Sequence, residues 1–214
     1  MKNRLINKIF ETPLGQVACG LNSDCSETEN VGEYEYGNGK SVTYKTSGYR
    51  IELVEFKIRQ PLYNGETVTD SNGWIWRIEK IRGSNEKLKL SCVLTDYLDN
   101  VTFDTATGKY LDAIEATNGE WVLHIGTEDG ELMNSRAESN DWFPERLRNK
   151  INFYQSITSL LKEGFETEIP TLKVGEQIHI HYLTAYDKQN RESVNTWLAV
   201  DEFKEKLENW IGII

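Results

Sequence analysis

The stretch KLKLSCVL, Lys87 to Leu94, sets the tightest limit on the fold, because it places Leu88, Leu90 and Cys92 on one side and Lys87, Lys89 and Ser91 on the other. A period of two suits a strand that buries one face and wets the other, the pattern of antiparallel sheet. The same pattern covers most of the first half. Val42 and Tyr44 alternate with polar neighbours, Ile51, Leu53 and Val54 follow a Ser-Gly break, and Asn38-Gly39 between two tyrosine-bearing runs is a hairpin signal. Asp70 to Gly73 reads as a second turn, between ETVT and WIWRIEKI, and WVLHI reads as a further strand closed by the turn GTEDGE.

From Trp142 the period changes. Phe143, Leu147, Ile151, Tyr154, Ile157, Thr158 and Leu161 recur at spacings of three and four, with Asp141 as cap, Pro144 in the first turn and Gly164 as stop, which predicts a long helix near 141–163. IHIHYLTAY then reads as a strand and VNTWLAV as its return strand. Asp201 to Ile211 reads as a C-terminal helix whose Phe203, Leu207, Trp210 and Ile211 share one face, packed on the sheet. The expected class is α+β, with a predominantly antiparallel sheet in the first half. A chain of 214 residues, 38% hydrophobic, fits a single domain over 1–214, with a β-rich 1–127 and an α+β 128–214 as the admissible subdivision.

Charge narrows the choice of partner. Ile9 to Gly39 holds six acids (Glu11, Asp24, Glu27, Glu29, Glu33, Glu35) and no Lys or Arg, while Asp96 to Glu145 holds twelve acids against Lys109 and Arg136. Those segments carry −6 and −10, so a chain total of −10 leaves +6 on the remainder. Concentrated carboxylates oppose direct binding of nucleic acid, whose phosphates need Lys and Arg, and attract a basic protein. No run of about 18 apolar residues is present to span a membrane, and MKNRLINKIF is broken by Asn7 and Lys8, so it forms no hydrophobic signal region. Cys19, Cys25 and Cys92 match no zinc or redox spacing; reduced thiols in a cytoplasmic protein are expected, with a Cys19–Cys25 disulfide as the alternative.

Candidate chemistry is sparse. On a strand His179 and His181 share a face with Leu183, opposite Ile178, Ile180 and Tyr182, and His124 of WVLHI could join them from a neighbouring strand. Three neutral imidazoles with an open fourth position would suit a hydrolytic zinc. That spacing resembles the His-x-His plus third His of the carbonic anhydrases and the ligand strand of the cupins, though the flanking glycines of the cupin pattern are missing. The competing reading puts the Ile178 face in the core and leaves the histidines on a solvated or partly covered sheet surface. No GxSxG elbow, SxxK motif, phosphate-binding P-loop or calcium loop occurs, and no cofactor is expected. Trp74 and Trp76 fall on one face of WIWRI, where they would be either core or, with Tyr34, Tyr36 and Tyr44, an aromatic docking platform.

These features favour a non-enzymatic cytoplasmic binding protein, immunity- or inhibitor-like, whose acidic face engages a basic protein such as a toxin or a nucleic-acid enzyme. Its expected contact residues are Glu120, Glu128, Asp129, Glu131, Glu138 and Asp141, with Trp74 and Trp76. A metal-dependent enzyme built on His124, His179 and His181 is the alternative from another class. A structural or phage assembly component is the third.

Overall fold

The computed structural model describes residues 4–24, 28–148, 156–189 and 194–213. In chain order the strands are β1 (Arg4–Thr12), β2 (Gly15–Ser23), β3 (Glu29–Tyr36), β4 (Gly39–Lys45), β5 (Tyr49–Phe56), β6 (Asp70–Lys80), β7 (Leu88–Thr95), β8 (Thr102–Thr107), β9 (Leu111–Thr117), β10 (Trp121–Glu128), β11 (Thr158–Leu161), β12 (Gly164–Glu168) and β13 (Gln177–Lys188). The helices are α1 (Gly130–Ser139), α2 (Asn195–Val200) and α3 (Lys204–Ile211). The class is α+β, as expected: every strand pairing is antiparallel and the C-terminal helices pack on a sheet. Among the described residues no helix is long and apolar enough to cross a membrane.

Two sheets face each other. Five strands in the order β1-β2-β7-β12-β11 cover one side of a larger sheet, β3-β4-β5-β6-β13-β10-β9-β8. Between them lies the main core, in which Val17, Cys19, Leu21, Leu90 and Cys92 of the smaller sheet meet Ile51, Leu53, Trp74, Trp76, Ile78, Ile178 and Ile180 of the larger. A second core fills the opposite face of the large sheet, where Val54, Phe56, Ile75, Leu183 and Ala185 pack under Leu198, Val200, Leu207 and Ile211 of α2 and α3. The molecule is therefore sheet, sheet, helix in three layers, and the central strands of the large sheet are buried on both faces. β13, from the second half of the sequence, sits between β6 and β10 from the first, so the sheets do not divide at 127/128.

Four local expectations are corrected. The long helix near 141–163 does not form over the described part of that range: a short 3-10 turn, Glu145–Leu147, is followed by β11, while residues 149–155 lie outside the described part. Trp142 takes a left-handed φ of 47°, which breaks a helix at its start, and Phe143 and Leu147 are buried in the core rather than along a helical stripe. Gly164, expected as a helix stop, closes the β11–β12 hairpin opposite Leu161. VNTWLAV is helix α2 rather than a return strand, since β13 already has both its ladders filled by β6 and β10. Asp70 to Gly73 is the start of β6, paired with Tyr186 to Leu183 of β13, rather than a turn.

The Gly37-Asn38 turn joins β3 to β4 with Tyr36 opposite Gly39, one residue earlier than the Asn-Gly signal suggests. It docks on the end of α3: the Asn38 backbone N–H donates to the Ile211 carbonyl at 3.2 Å, and its side-chain amide donates to the Trp210 carbonyl at 2.7 Å. Cys19 and Cys92 stand opposite each other on β2 and β7, both buried and free, and Cys25 lies outside the described residues.

Candidate binding surface

The large sheet carries a polar row on its helix-facing side. Thr43 stands opposite Glu52, Glu52 opposite Arg77, and Arg77 opposite His179, so four neighbouring strands put these side chains on one line. At the outer end the row is open. The Tyr36 hydroxyl donates to Glu52 Oε1 at 2.8 Å and Arg77 Nη1 donates to Glu52 Oε2 at 3.2 Å. Burial, reinforced by the Glu52 carboxylate, pushes the Tyr36 phenol up to about 12.

Inward, the row disappears beneath α1 and α3. The Arg77 guanidinium stacks over the Trp142 ring at 4.1 Å, and Glu208 of α3 binds Lys204 at 2.9 Å. Glu208 Oε1 lies 3.6 Å from His179 Nδ1 and 3.9 Å from Arg77 Nε, just beyond hydrogen-bond reach. Lys204 also takes both oxygens of Asp141, at 2.9 and 3.0 Å. Arg136 is held by two bonds to the Glu128 carboxylate, the Nε–Oε1 one at 3.0 Å, and donates to the His179 carbonyl at 3.0 Å. Cations and carboxylates thus alternate through a closed cluster that pins α1 and α3 to the sheet.

The histidines lie inside, not on a surface. His179 Nε2 and His181 Nδ1 are 3.0 Å apart, one ring donating to the other, and both side chains are fully buried. Burial, then the nearby Arg136 charge, drives His181 down to about 3 and His179 well below its ordinary value. The expectation of a solvated histidine face is therefore overturned, because α1, α3 and the 141–143 segment roof over it. His124 is elsewhere: it stands opposite Ala185, four residues along β13 from His181, with Nδ1 3.0 Å from the Thr196 hydroxyl and Nε2 3.4 Å from Glu115. Burial outweighs that partly exposed carboxylate and pushes His124 down to about 4. The three imidazoles do not converge, and among the described residues no group of three or more His, Cys, Asp or Glu is placed to hold a metal ion.

The carboxylates expected to form the docking face are mostly committed to the fold. Glu128 is 2% exposed and paired with Arg136; Asp141 is paired with Lys204; Glu138 is paired with Arg148 at 2.7 Å. Asp129 caps α1 by accepting the Leu132 N–H at 2.8 Å. Glu120 and Glu131 remain exposed, but the whole of β10 separates them, roughly 25 Å at about 3.3 Å per residue. These six carboxylates make no single patch. Trp74 and Trp76 are each 0% exposed in the core between the sheets, which removes them from any docking platform.

The other acidic segment behaves differently. β3 is an edge strand, paired only with β4, and all of its residues except Tyr36 are exposed. It carries Glu29, Glu33 and Glu35 and no cation; among the described residues none of the three is in a salt bridge. Tyr34 is 63% exposed and meets Tyr36 edge-on at 4.8 Å between ring centroids. Tyr34, Tyr36, Thr43, Arg50 and Glu52 line an open groove of about 590 Å3 between this edge and the end of α3. The charge asymmetry of Ile9 to Gly39 and the hairpin signal were both legible in the sequence. What no local pattern could supply was that β3 has no second neighbour among the described residues. No known protein family, characterised protein or solved structure matches the chain.

Proposed function

We propose that this is a non-enzymatic binding protein, working in the cytoplasm in the manner of an immunity protein or enzyme inhibitor, that docks a basic protein partner on the exposed β3 edge and the groove beside it. One observation carries the reading: among the described residues, β3 presents three glutamates outside any salt bridge and an exposed tyrosine on a strand with no outer neighbour. Carboxylates attract and orient a cationic partner, and an exposed tyrosine beside them supplies the rigid contact area on which such interfaces are anchored. The closed histidine cluster, by contrast, offers no access to a substrate and serves to hold the helices.

The test compares charge reversal at two places. Binding of a lysine-rich protein or peptide is measured at about 50 mM salt for wild type, for Glu33→Lys with Glu35→Lys, and for Glu120→Lys with Glu131→Lys. The reading requires loss of binding in the β3 pair alone. Equal loss in both pairs would mean diffuse attraction to net charge, and the docking surface would be withdrawn.

A further inference from the structure

We infer that the β3 edge takes its partner by strand addition: an extended segment in which Lys or Arg alternates with apolar residues pairs with β3 as a ninth strand of the large sheet. This rests on the docking reading above and specifies its geometry and the chemistry of the occupant.

The backbone argument starts at the turn. In a two-residue hairpin the closing residues, here Tyr36 and Gly39, bond to each other, and the next pair inward does not. Bonded and non-bonded pairs then alternate as far as Gly32, where a bulge shifts the register. Glu35, opposite Lys40, and Glu33, opposite Val42, occupy the non-bonded places, so their N–H and C=O groups point away from β4 toward the free edge. The residues that offer backbone pairing are also the ones that carry charge.

The side chains fix what can pair there. Glu33 shares a face with Val42, Leu53 and Trp76, the side toward the smaller sheet, whereas Tyr34 shares the opposite face with Ser41, Val54 and Ile75. A strand laid beside the Gly32–Tyr36 part of β3 would therefore meet the Glu33 and Glu35 carboxylates on one face and the Tyr34 ring on the other; the bulge between Asn30 and Gly32 puts Glu29 on the Tyr34 face. Lys40 and Lys45 stand opposite Glu35 and Glu29 on β4, but an added strand would lie about 4.8 Å from β3 and about twice that from β4. It would feel the acids first. Glutamates on an edge repel ordinary strands, including another copy of this one, so the edge selects for a cationic strand.

The probe is a synthetic heptapeptide alternating Lys and Val, beside the same sequence N-methylated at every peptide bond, which keeps the charge and removes the ladder. Binding is followed by NMR titration, and amide hydrogen exchange is read at Glu33 and Glu35. Strand addition predicts that the unmethylated peptide slows exchange at both amides about tenfold or more and that methylation weakens binding by a similar factor. Replacing Glu33 or Glu35 by Ala should weaken it between about 1.5- and 5-fold each, the range of exposed ion pairs. If both peptides bind alike, with exchange at these amides unchanged and affinity still lost in the doubly reversed variant Glu33→Lys/Glu35→Lys, strand addition is refuted while the docking surface stands. If neither binds at low salt, or charge reversal changes nothing, both readings fail together.

Discussion

Lowering the pH from 7 to 5 should destabilise the fold through its three buried histidines. His124 and His181 titrate in the fold near about 4 and about 3, and His179 is pushed well below its ordinary value, whereas each would titrate at 6.5 in the unfolded chain. Below about 6.5 the unfolded chain takes up protons that the folded one refuses, so stability is full above that pH and falls as the pH drops toward the folded values. Down to about pH 5 the loss is set by the unfolded chain, about 1.5 pH units at 1.36 kcal/mol each, or roughly 2 kcal/mol each for His124 and His181 and about 4 kcal/mol for the two, with His179 acting in the same direction. A domain is usually stable by about 5–15 kcal/mol, so the change is large. Asp112, Glu115, Asp129 and Glu202, raised by burial, act in the opposite direction, since the folded state holds their protons more tightly. The comparison that isolates the imidazole is therefore urea unfolding of wild type and His124→Asn at both pH values. Asn carries its amide at the Nδ1 position, which contacts Thr196, and cannot take up a proton. The variant should lose about 2 kcal/mol less than wild type between pH 7 and pH 5. Equal losses would mean that His124 is not held neutral by burial, and the account of this face of the sheet would be wrong.

Two further outcomes follow from the packing. Replacing Arg136 by Met strands the buried Glu128 carboxylate and should cost about 3–5 kcal/mol in urea unfolding, whereas adding Glu128→Leu should recover part of that loss; simple additivity would refute the coupling. Gly164 has a φ of +154°, and a Cβ there would clash with the Cys92 carbonyl oxygen and lie 2.8 Å from Val93 Cα, so Gly164→Ala should lower stability by about 3 kcal/mol or more, and a loss below about 1 kcal/mol would show that β12 does not hug β7 as described.

What the sequence disclosed was local. Period-two runs such as Leu88–Leu90–Cys92 need only their own side chains to declare a strand, and β7 is one. The segment after Asp141 imitates a helix because Phe143, Leu147 and Leu161 happen to fall at helical spacings while serving different purposes: two plug the core, and the third ends an edge strand. Histidine exposure was misjudged for a related reason. Alternation shows that His179 and His181 share a face, but not that helices from residues 130–139 and 204–211 will cover it. The acidic segments show the same limit. Asp96 to Glu145 has the larger net charge, yet Arg136, Lys204 and Arg148 reach its carboxylates, two of those cations from outside the segment. Sequence separation hid the pairing of Asp141 and Glu138 with cations outside the segment, and it equally hid that β3 would be left at an edge.

The most direct test of the central claim is a map of where a cationic chain lands. Titrating the 15N-labelled protein with a lysine-rich peptide should shift the amides of Val31 to Tyr36 and of Ser41 and Thr43, with Glu120 and Glu131 unmoved. Shifts centred on Glu120 and Glu131 with β3 silent, or no saturable shifts at all, would contradict the assignment of β3 as the binding edge.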